Sequence, residues 1–305
     1  MWSQYSTPCG PPPNLNNVRM VRKLLKYLLP PIIFDVWRRL RSKKVPPEYG
    51  LFLRGQFPTW SEASAKAVGY TDSNLIERVA IRNVNQSRIA EWGHHSLSDR
   101  DAQIFSAILI AVANLGAMRP IRVLDFGGEM GGFFRDLTPL LLEKNLMQWT
   151  VLETPEMAAK AMAAFRQENL TFTSDHSVFA NNFEIILASG SLHCVEDPTT
   201  MFRRFINTNA SYMVMNTLPL VRSISRDFAT VRIVRTDTYQ ESYPLWLLSE
   251  PVWRRRLNED FQILMEWSVA KTDQLESGEA VSYQGFLLER RGRRGNKKVT
   301  DDQYR

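Results

Sequence analysis

From Ile121 onward the chain alternates short apolar runs with longer amphipathic or polar stretches: IRVLDF, QWTVLE, LTF, FEIILAS and SYMVMNT follow one another in order. Apolar runs of this length suit strands buried on both faces, and their regular separation predicts parallel strands joined by crossover helices. Two further strand-like runs, Phe261–Val269 and Val281–Glu289, are joined only by the polar stretch Ala270–Ala280. With no helix between them they predict an antiparallel hairpin that closes the sheet. The expected fold is α/β and Rossmann-like, with the main domain over residues 119–290.

Upstream of that domain the pattern changes twice. Ser98-Asp99-Arg100-Asp101 precedes Ile104, Phe105, Ile108, Leu109, Val112 and Leu115, an N-cap signal before a 3–4 residue apolar period. This predicts a helix of roughly five turns, broken at Arg119-Pro120. Segment 46–97 is polar and broken, with weak helical stretches at Trp60–Val68 and Ser73–Asn85, so 46–118 reads as an N-terminal helical region. Residues 1–17 carry no charge and are rich in Pro, Asn and Ser, the composition of a disordered leader. Their order of features is not that of a signal peptide.

Charge is concentrated at the ends. The formal net charge is +6, yet residues 18–44 set nine basic residues against Asp35, and 289–305 add a second basic stretch. The remainder is mildly acidic, which argues against a catalytic domain that binds nucleic acid. In segment 18–45, Leu24, Leu25, Leu28 and Leu29 form an apolar stripe flanked by Arg22, Lys23 and Lys26. The uncharged run Tyr27–Phe34 contains Pro30-Pro31 and falls short of the ~20 residues a helical span needs. Two readings stay open: an interfacial helix drawn to anionic lipid, or a helix that packs its stripe on the domain. Two cysteines, Cys9 and Cys194, exclude a disulfide framework and suit a reducing compartment. The expected location is the cytoplasm, with peripheral contact at the inner membrane.

The chemistry-bearing residues fall at the ends of the expected strands. Val123-Leu-Asp-Phe-Gly-Gly-Glu-Met-Gly-Gly is a strand running into a glycine-rich turn and a helix. Gly127, Gly128 and Gly131 let the backbone approach a ligand closely, and amide groups at the helix start face an anionic group. Asp125, two residues before the first glycine, is not required by the dinucleotide fingerprint G-x-G-x-x-G. Glu153 ends the next strand, where an acid accepts both ribose hydroxyl protons of a nucleoside cofactor. Asp175 follows the third strand, where a loop acid caps a turn or, in class I methyltransferases, which this pattern resembles, contacts an adenine amine. The fourth strand emerges into Ser189-Gly190-Ser191, then Leu192-His193 and Glu196-Asp197-Pro198. The His193 imidazole there either takes a proton from an acceptor hydroxyl or is bonded structurally within the loop. His94 and His95 adjoin each other without a spaced acid or cysteine, so no metal site is expected.

These motifs together resemble those of class I S-adenosylmethionine-dependent methyltransferases, whose Rossmann-like sheet ends in an antiparallel hairpin. The resemblance implies S-adenosylmethionine as cofactor, held by Asp125, Gly127, Gly128, Gly131, Glu153, Asp175 and Ser189, with His193 as catalytic base or orienting group. Leu28-Leu29-Pro30-Pro31, Trp60-Ser-Glu-Ala, Gly69-Tyr70, the Asp-Phe-Gly-Gly loop and Ser242-Tyr-Pro-Leu-Trp also resemble a methyltransferase family of bacterial polysaccharide and lipopolysaccharide gene clusters. That likeness spans about residues 24–288 and implies O-methylation of a small-molecule or glycan acceptor.

One position departs from the pattern. Glu129 stands where the class has glycine, and its carboxylate either repels the cofactor's own carboxylate or turns outward to pair with its ammonium. Tyr239, Tyr243 and Trp246 form an aromatic group, with Gln240 and Glu241 beside it, that either stacks on a sugar or fills the core. Two rival functions remain. A nicotinamide-dependent sugar enzyme would share Glu153 but not Asp125; a non-catalytic methyltransferase-like scaffold at the membrane would accommodate Glu129.

Overall fold

The computed structural model describes residues 50–68, 76–81, 83, 99–116, 120–138, 141, 146–235, 240–275, 278 and 280–292. The expected leader, the basic segment 18–45, the end of the basic tail, the Ser98 cap, His94, His95 and Tyr239 lie outside the described residues.

The core is the expected series of parallel strands. β2 (Ile121–Phe126) lies between β3 (Met147–Leu152) and β5 (Ile185–Ser189), β4 (Leu170–Thr173) flanks β3, and β6 (Tyr212–Val221) flanks β5. Alternate side chains enter two different cores. Val123 joins Trp149, Val151, Ile185 and Leu187 on one face, while Leu124 and Phe126 join Leu152, Ile186 and Ala188 on the other. Burial on both faces is why these runs read as continuous apolar stretches.

β9 (Phe261–Gln274) and β10 (Ala280–Arg290) form the expected hairpin, longer than the apolar runs suggested, and β10 inserts antiparallel between β9 and β6. The order β4-β3-β2-β5-β6-β10-β9, parallel up to β6 and antiparallel at β10, is the Rossmann-like class I methyltransferase sheet.

Helices cover both faces. On the first are α2 (Asp99–Leu115), α3 (Gly132–Leu137), α4 (Pro155–Ala164) and the helical residues 76–81 and 83. α2 buries Ile104, Phe105, Ala107, Ile108 and Ala111, whereas Leu109 is 41% exposed. The buried stripe thus runs through small residues the apolar pattern passed over. The helix stops at Gly116, whose φ of +57° serves as a left-handed terminator ahead of Pro120. On the second face lie α5 (Pro198–Asn207), capped by Asp197 with Pro198 in its first turn, and α6 (Glu250–Asp260).

Two features correct the sequence reading. The region 46–118, read as helical with weak stretches at Trp60–Val68 and Ser73–Asn85, also contributes a strand, β1 (Gly50–Phe57), ahead of the short α1 (Trp60–Ser64). Between β6 and α6 the chain makes a hairpin of β7 (Phe228–Arg235) and β8 (Gln240–Ser249), with β1 on its outer edge. β6 outruns β5, and past its tip Leu220 and Val221 pair in parallel with Leu248 and Ser249. The β1–β7–β8 unit therefore stands beyond the carboxyl end of β5, on the side where open α/β sheets bind ligands.

Candidate active site

The glycine turn after β2 is shaped by what lies against it. Asp125 is 1% exposed, and its Oδ2 accepts a hydrogen bond of 3.0 Å from the Trp149 indole on β3. A Cβ at Gly128 would sit 2.3 Å from that Oδ2, so the position admits no side chain. Gly127 has a φ of +68°, and a Cβ there would come 2.4 Å from the Ser191 Cβ. Ser191 closes this contact by donating from Oγ to the Phe126 carbonyl at 2.6 Å. The β5 tip is thereby pinned to the β2 tip. Gly131, also left-handed, leads into α3.

Glu153 ends at the same place from β3. Its Oε1 accepts from the Glu129 main-chain N–H and its Oε2 from Thr154 N–H, both at 2.9 Å. Each oxygen keeps a lone pair for a further donor, such as a ribose hydroxyl. Burial pushes the Asp125 carboxyl up to about 7; the Trp149 hydrogen bond opposes this, and the charges of Glu153 and Glu129 add to it. Glu153 is also raised, by burial first, against its two backbone hydrogen bonds. Asp125 Oδ1 is buried with no hydrogen-bond partner among the described residues.

Glu129 adopts a φ of +52°, the conformation glycine would supply, so the turn keeps its path. Its Oε2 accepts from Asn83 Nδ2 at 3.2 Å, and Asn83 Oδ1 accepts from Arg135 at 2.9 Å. The carboxylate is thus directed to the helical residue 83. Neither Asn83 nor Arg135 stood out in the sequence: both sit in ordinary amphipathic stretches, and their meeting is tertiary.

The remaining candidates divide. Asp175 reaches the β4 tip, but its two oxygens cap the 3-10 turn η1 (His176–Ala180) through Ser177 N–H at 2.8 Å and Ser177 Oγ at 2.5 Å. Those bonds hold its pKa below the usual carboxylate range. Ser189 Oγ accepts from Asn216 Nδ2 at 3.2 Å, so its side chain addresses β6. His193 lies in the 3-10 turn η2 (Leu192–Cys194) and is 3% exposed.

Asn216, fully buried, organises the β5–β6 tips in a way the sequence did not announce. Its Oδ1 accepts from Trp267 Nε1 at 2.8 Å, and its Nδ2 serves both Ser189 Oγ and, at 2.9 Å, Thr217 Oγ1. Thr217 has a φ of +59°, a strained setting for a β-branched residue, at the bulge where β6 passes Gly285. The described members of the aromatic group, Tyr243 and Trp246, are partly buried and pack against core clusters. Trp246 stacks on Trp60 at 6.2 Å and 17°, donates to the Val195 and Glu196 carbonyls, and Tyr243 packs with Val221, Leu245 and Leu247.

Among the described residues no group of three or more His, Cys, Asp or Glu is placed to hold a metal.

No family model and no curated protein matches the sequence. Solved structures do show a likeness. The N-terminal domain of EvdMO1, crystallised in the presence of SAH and D-fucose, is 15% identical, with 64% of this chain and 85% of that chain covered and a TM-score of 0.40. A SAM-dependent methyltransferase from Methanosarcina mazei is 13% identical over 59% of this chain and 96% of its own, TM-score 0.41. The N-methyltransferase NodS from Bradyrhizobium japonicum, in complex with S-adenosyl-L-homocysteine, is 13% identical over 62% and 86%, TM-score 0.38. The fold assignment rests on this chain's own strand order.

Proposed function

We propose that this chain is an S-adenosylmethionine-dependent O-methyltransferase acting on a hydroxyl of a glycan or glycolipid intermediate. One observation carries the reading: the β2 turn is packed so closely on Asp125 and Ser191 that Gly127 and Gly128 can bear no side chain, which leaves bare backbone beside a buried acid on β2 and a second acid on β3. The orphaned Asp125 Oδ1 and the spare lone pairs of Glu153 fit a ligand rich in N–H and O–H donors.

In this reading Gly127, Gly128 and Gly131 admit the aminoacid part of the cofactor, Glu153 binds the ribose hydroxyls, and Asp125 shapes the turn from below. When bound, S-adenosylmethionine supplies an electrophilic methyl on a sulfonium. The chain's own part is mostly positioning. Ser191 holds the β5 tip to β2 and Asn216 holds it to β6, and the β7–β8 hairpin walls the acceptor side. His193, 3% exposed in η2, is the proposed proton acceptor or orienting group. Asp175 and Ser189 remain proposed cofactor contacts, acting through their main chains or after their side chains turn.

Two expectations extend the proposal. The gene-cluster family resemblance supports a saccharide-bearing acceptor, and the basic segment 18–45 supports peripheral contact with an anionic membrane surface. Among the described residues no helix is long and apolar enough to cross a membrane. Sedimentation with anionic vesicles, with and without residues 1–45, tests the contact; absence from vesicles at every salt concentration overturns it.

Calorimetric titration with S-adenosylmethionine, S-adenosylhomocysteine and NADPH tests the cofactor. Binding of the sulfonium compound and its demethylated product alone is expected. Failure of both to bind moves the reading to a non-catalytic scaffold, and NADPH binding overturns it.

A further inference from the structure

Glu129 occupies a backbone conformation suited to glycine, and it does so with a carboxylate beside two other acids. Its position is made tolerable by a chain of contacts. Arginine only donates, so Asn83 Oδ1 must face Arg135 Nη2, which fixes the Asn83 amide with its N–H groups outward. One of those faces Glu129 Oε2; Nδ2 also serves the Val79 carbonyl at 3.0 Å. Asn83 is 3% exposed and Arg135 8%, so their link runs through protein, while the Glu129 end is part-buried. From Glu129 it continues through the main-chain N–H to Glu153.

Asn83 lies with the helical residues 76–81, whose other polar ties reach the site's rim. Glu77 pairs with Lys160 on α4, the helix that follows Glu153, and Arg78 pairs with Glu241 on β8. Ile76 and Val79 supply its buried apolar anchorage. The segment is therefore tied at once to the cofactor turn, to the helix behind the ribose acid and to the acceptor-side hairpin.

We infer that Glu129 is a positioning residue: its carboxylate latches the helical residues 76–81 and 83 onto the glycine turn, so that the seating of this segment and the binding of the cofactor are coupled. The coupling rests on the cofactor reading above; the latch itself does not. A glycine at 129 would keep the turn's path and lose the latch. The same contact accounts for a carboxylate in the cradle without repulsion of a bound carboxylate, because the side chain is drawn toward Asn83 and the buried guanidinium of Arg135.

Hydrogen exchange of the full chain, read at residues 76–83 and at β2, β3 and β6, tests this. In ligand-free protein, Glu129→Gly and Asn83→Ala are each expected to speed exchange at 76–83 by about tenfold or more, the worth of one charge-assisted hydrogen bond, with the strands unchanged. Glu129→Gln, which can still accept from Asn83, is expected to restore most of the protection. S-adenosylhomocysteine is expected to slow exchange at 76–83 in the wild type, and both latch variants to bind it about tenfold more weakly. Unchanged exchange at 76–83 in Glu129→Gly and Asn83→Ala overturns the latch. Unchanged affinity in variants whose segment has loosened overturns the coupling. No binding to the wild type removes the cofactor reading and the coupling together, while the ligand-free comparison still decides the latch.

Discussion

Trp149 donates its indole N–H to Asp125 Oδ2 across the parallel β2–β3 pair, and Oδ2 has no room on its other side for anything larger than the hydrogen of Gly128. The acid is thus walled in by an aromatic donor and a glycine, and burial raises its pKa to about 7 from an ordinary value of 3.8. A carboxyl raised on folding favours the folded state below its unfolded pKa, and that advantage is lost as pH rises through the folded value. The window is therefore about pH 4 to 7, and the difference across it is on the order of 4 kcal/mol. Asp125→Asn should remove this slope. Denaturant titrations at pH 5.5 and pH 8 are expected to show the variant gaining on the wild type at the higher pH. A constant difference between the two proteins would mean that Asp125 is ionised throughout. Trp149→Phe, which deletes the donor, should cost about 1–3 kcal/mol at pH 8 and less at pH 5.5, where the acid is protonated.

Gly128→Ala tests the cradle from the other direction. Its Cβ would land 2.3 Å from Asp125 Oδ2, and both the turn and the carboxylate are held by neighbours that cannot retreat far. Loss of about 1–3 kcal/mol of stability is expected from the overpacking, together with loss of measurable S-adenosylhomocysteine binding by calorimetry. Gly132→Ala is the matched control, since its Cβ would meet nothing closer than Asn83 Oδ1 at 3.6 Å. Equal binding by the two variants would place the ligand away from the β2 turn.

The core of this fold was legible because it is built from local signals. β2, β3, β5 and β6 each stood out as an apolar run because both of their faces contribute to a core, whereas the caps Thr154 and Asp197, each followed by proline, became visible only in the structure. The closing hairpin was legible from a missing helix. β1 was not, because GLFLRGQF is an edge strand interrupted by glycine and arginine, and its partner β7 lies far along the chain. The site divides in the same way. The glycines and acids at strand tips have fixed spacings, whereas Asn83, Arg135, Asn216 and Trp267 act through contacts that no spacing reveals.

His193 separates a chemical role from a structural one. If its imidazole takes the acceptor proton, His193→Ala should lower turnover by about 10² to 10⁴ with whichever saccharide acceptor supports the reaction. S-adenosylhomocysteine affinity should stay within about twofold, since no cofactor contact is lost. The 3% exposure of His193 adds a second expectation, a lowered melting temperature from truncation of a buried side chain. Near-full turnover in a destabilised variant would leave His193 with the loop and without the chemistry.

The inserted hairpin is secured by a buried charge. Arg232 on β7 meets Asp273 on β9 and the Tyr283 hydroxyl on β10, and the arginine and aspartate side chains are 3% and 2% exposed. Burial together with the adjacent Asp273 raises the Tyr283 pKa far above that of a free phenol, so the tyrosine stays a neutral donor between the two ions. Desolvating both ions offsets much of their attraction, so the pair adds little net stability over an apolar replacement, but breaking it leaves one ion stranded. Arg232→Met is therefore expected to cost about 3–5 kcal/mol in urea unfolding. Adding Asp273→Leu should recover most of that loss, because the stranded carboxylate goes with it. If the double variant is as unstable as the sum of the singles, the two residues act separately, and the hairpin is held instead by the apolar packing of its Leu245 and Leu247 with Val221, Leu275 and Val281.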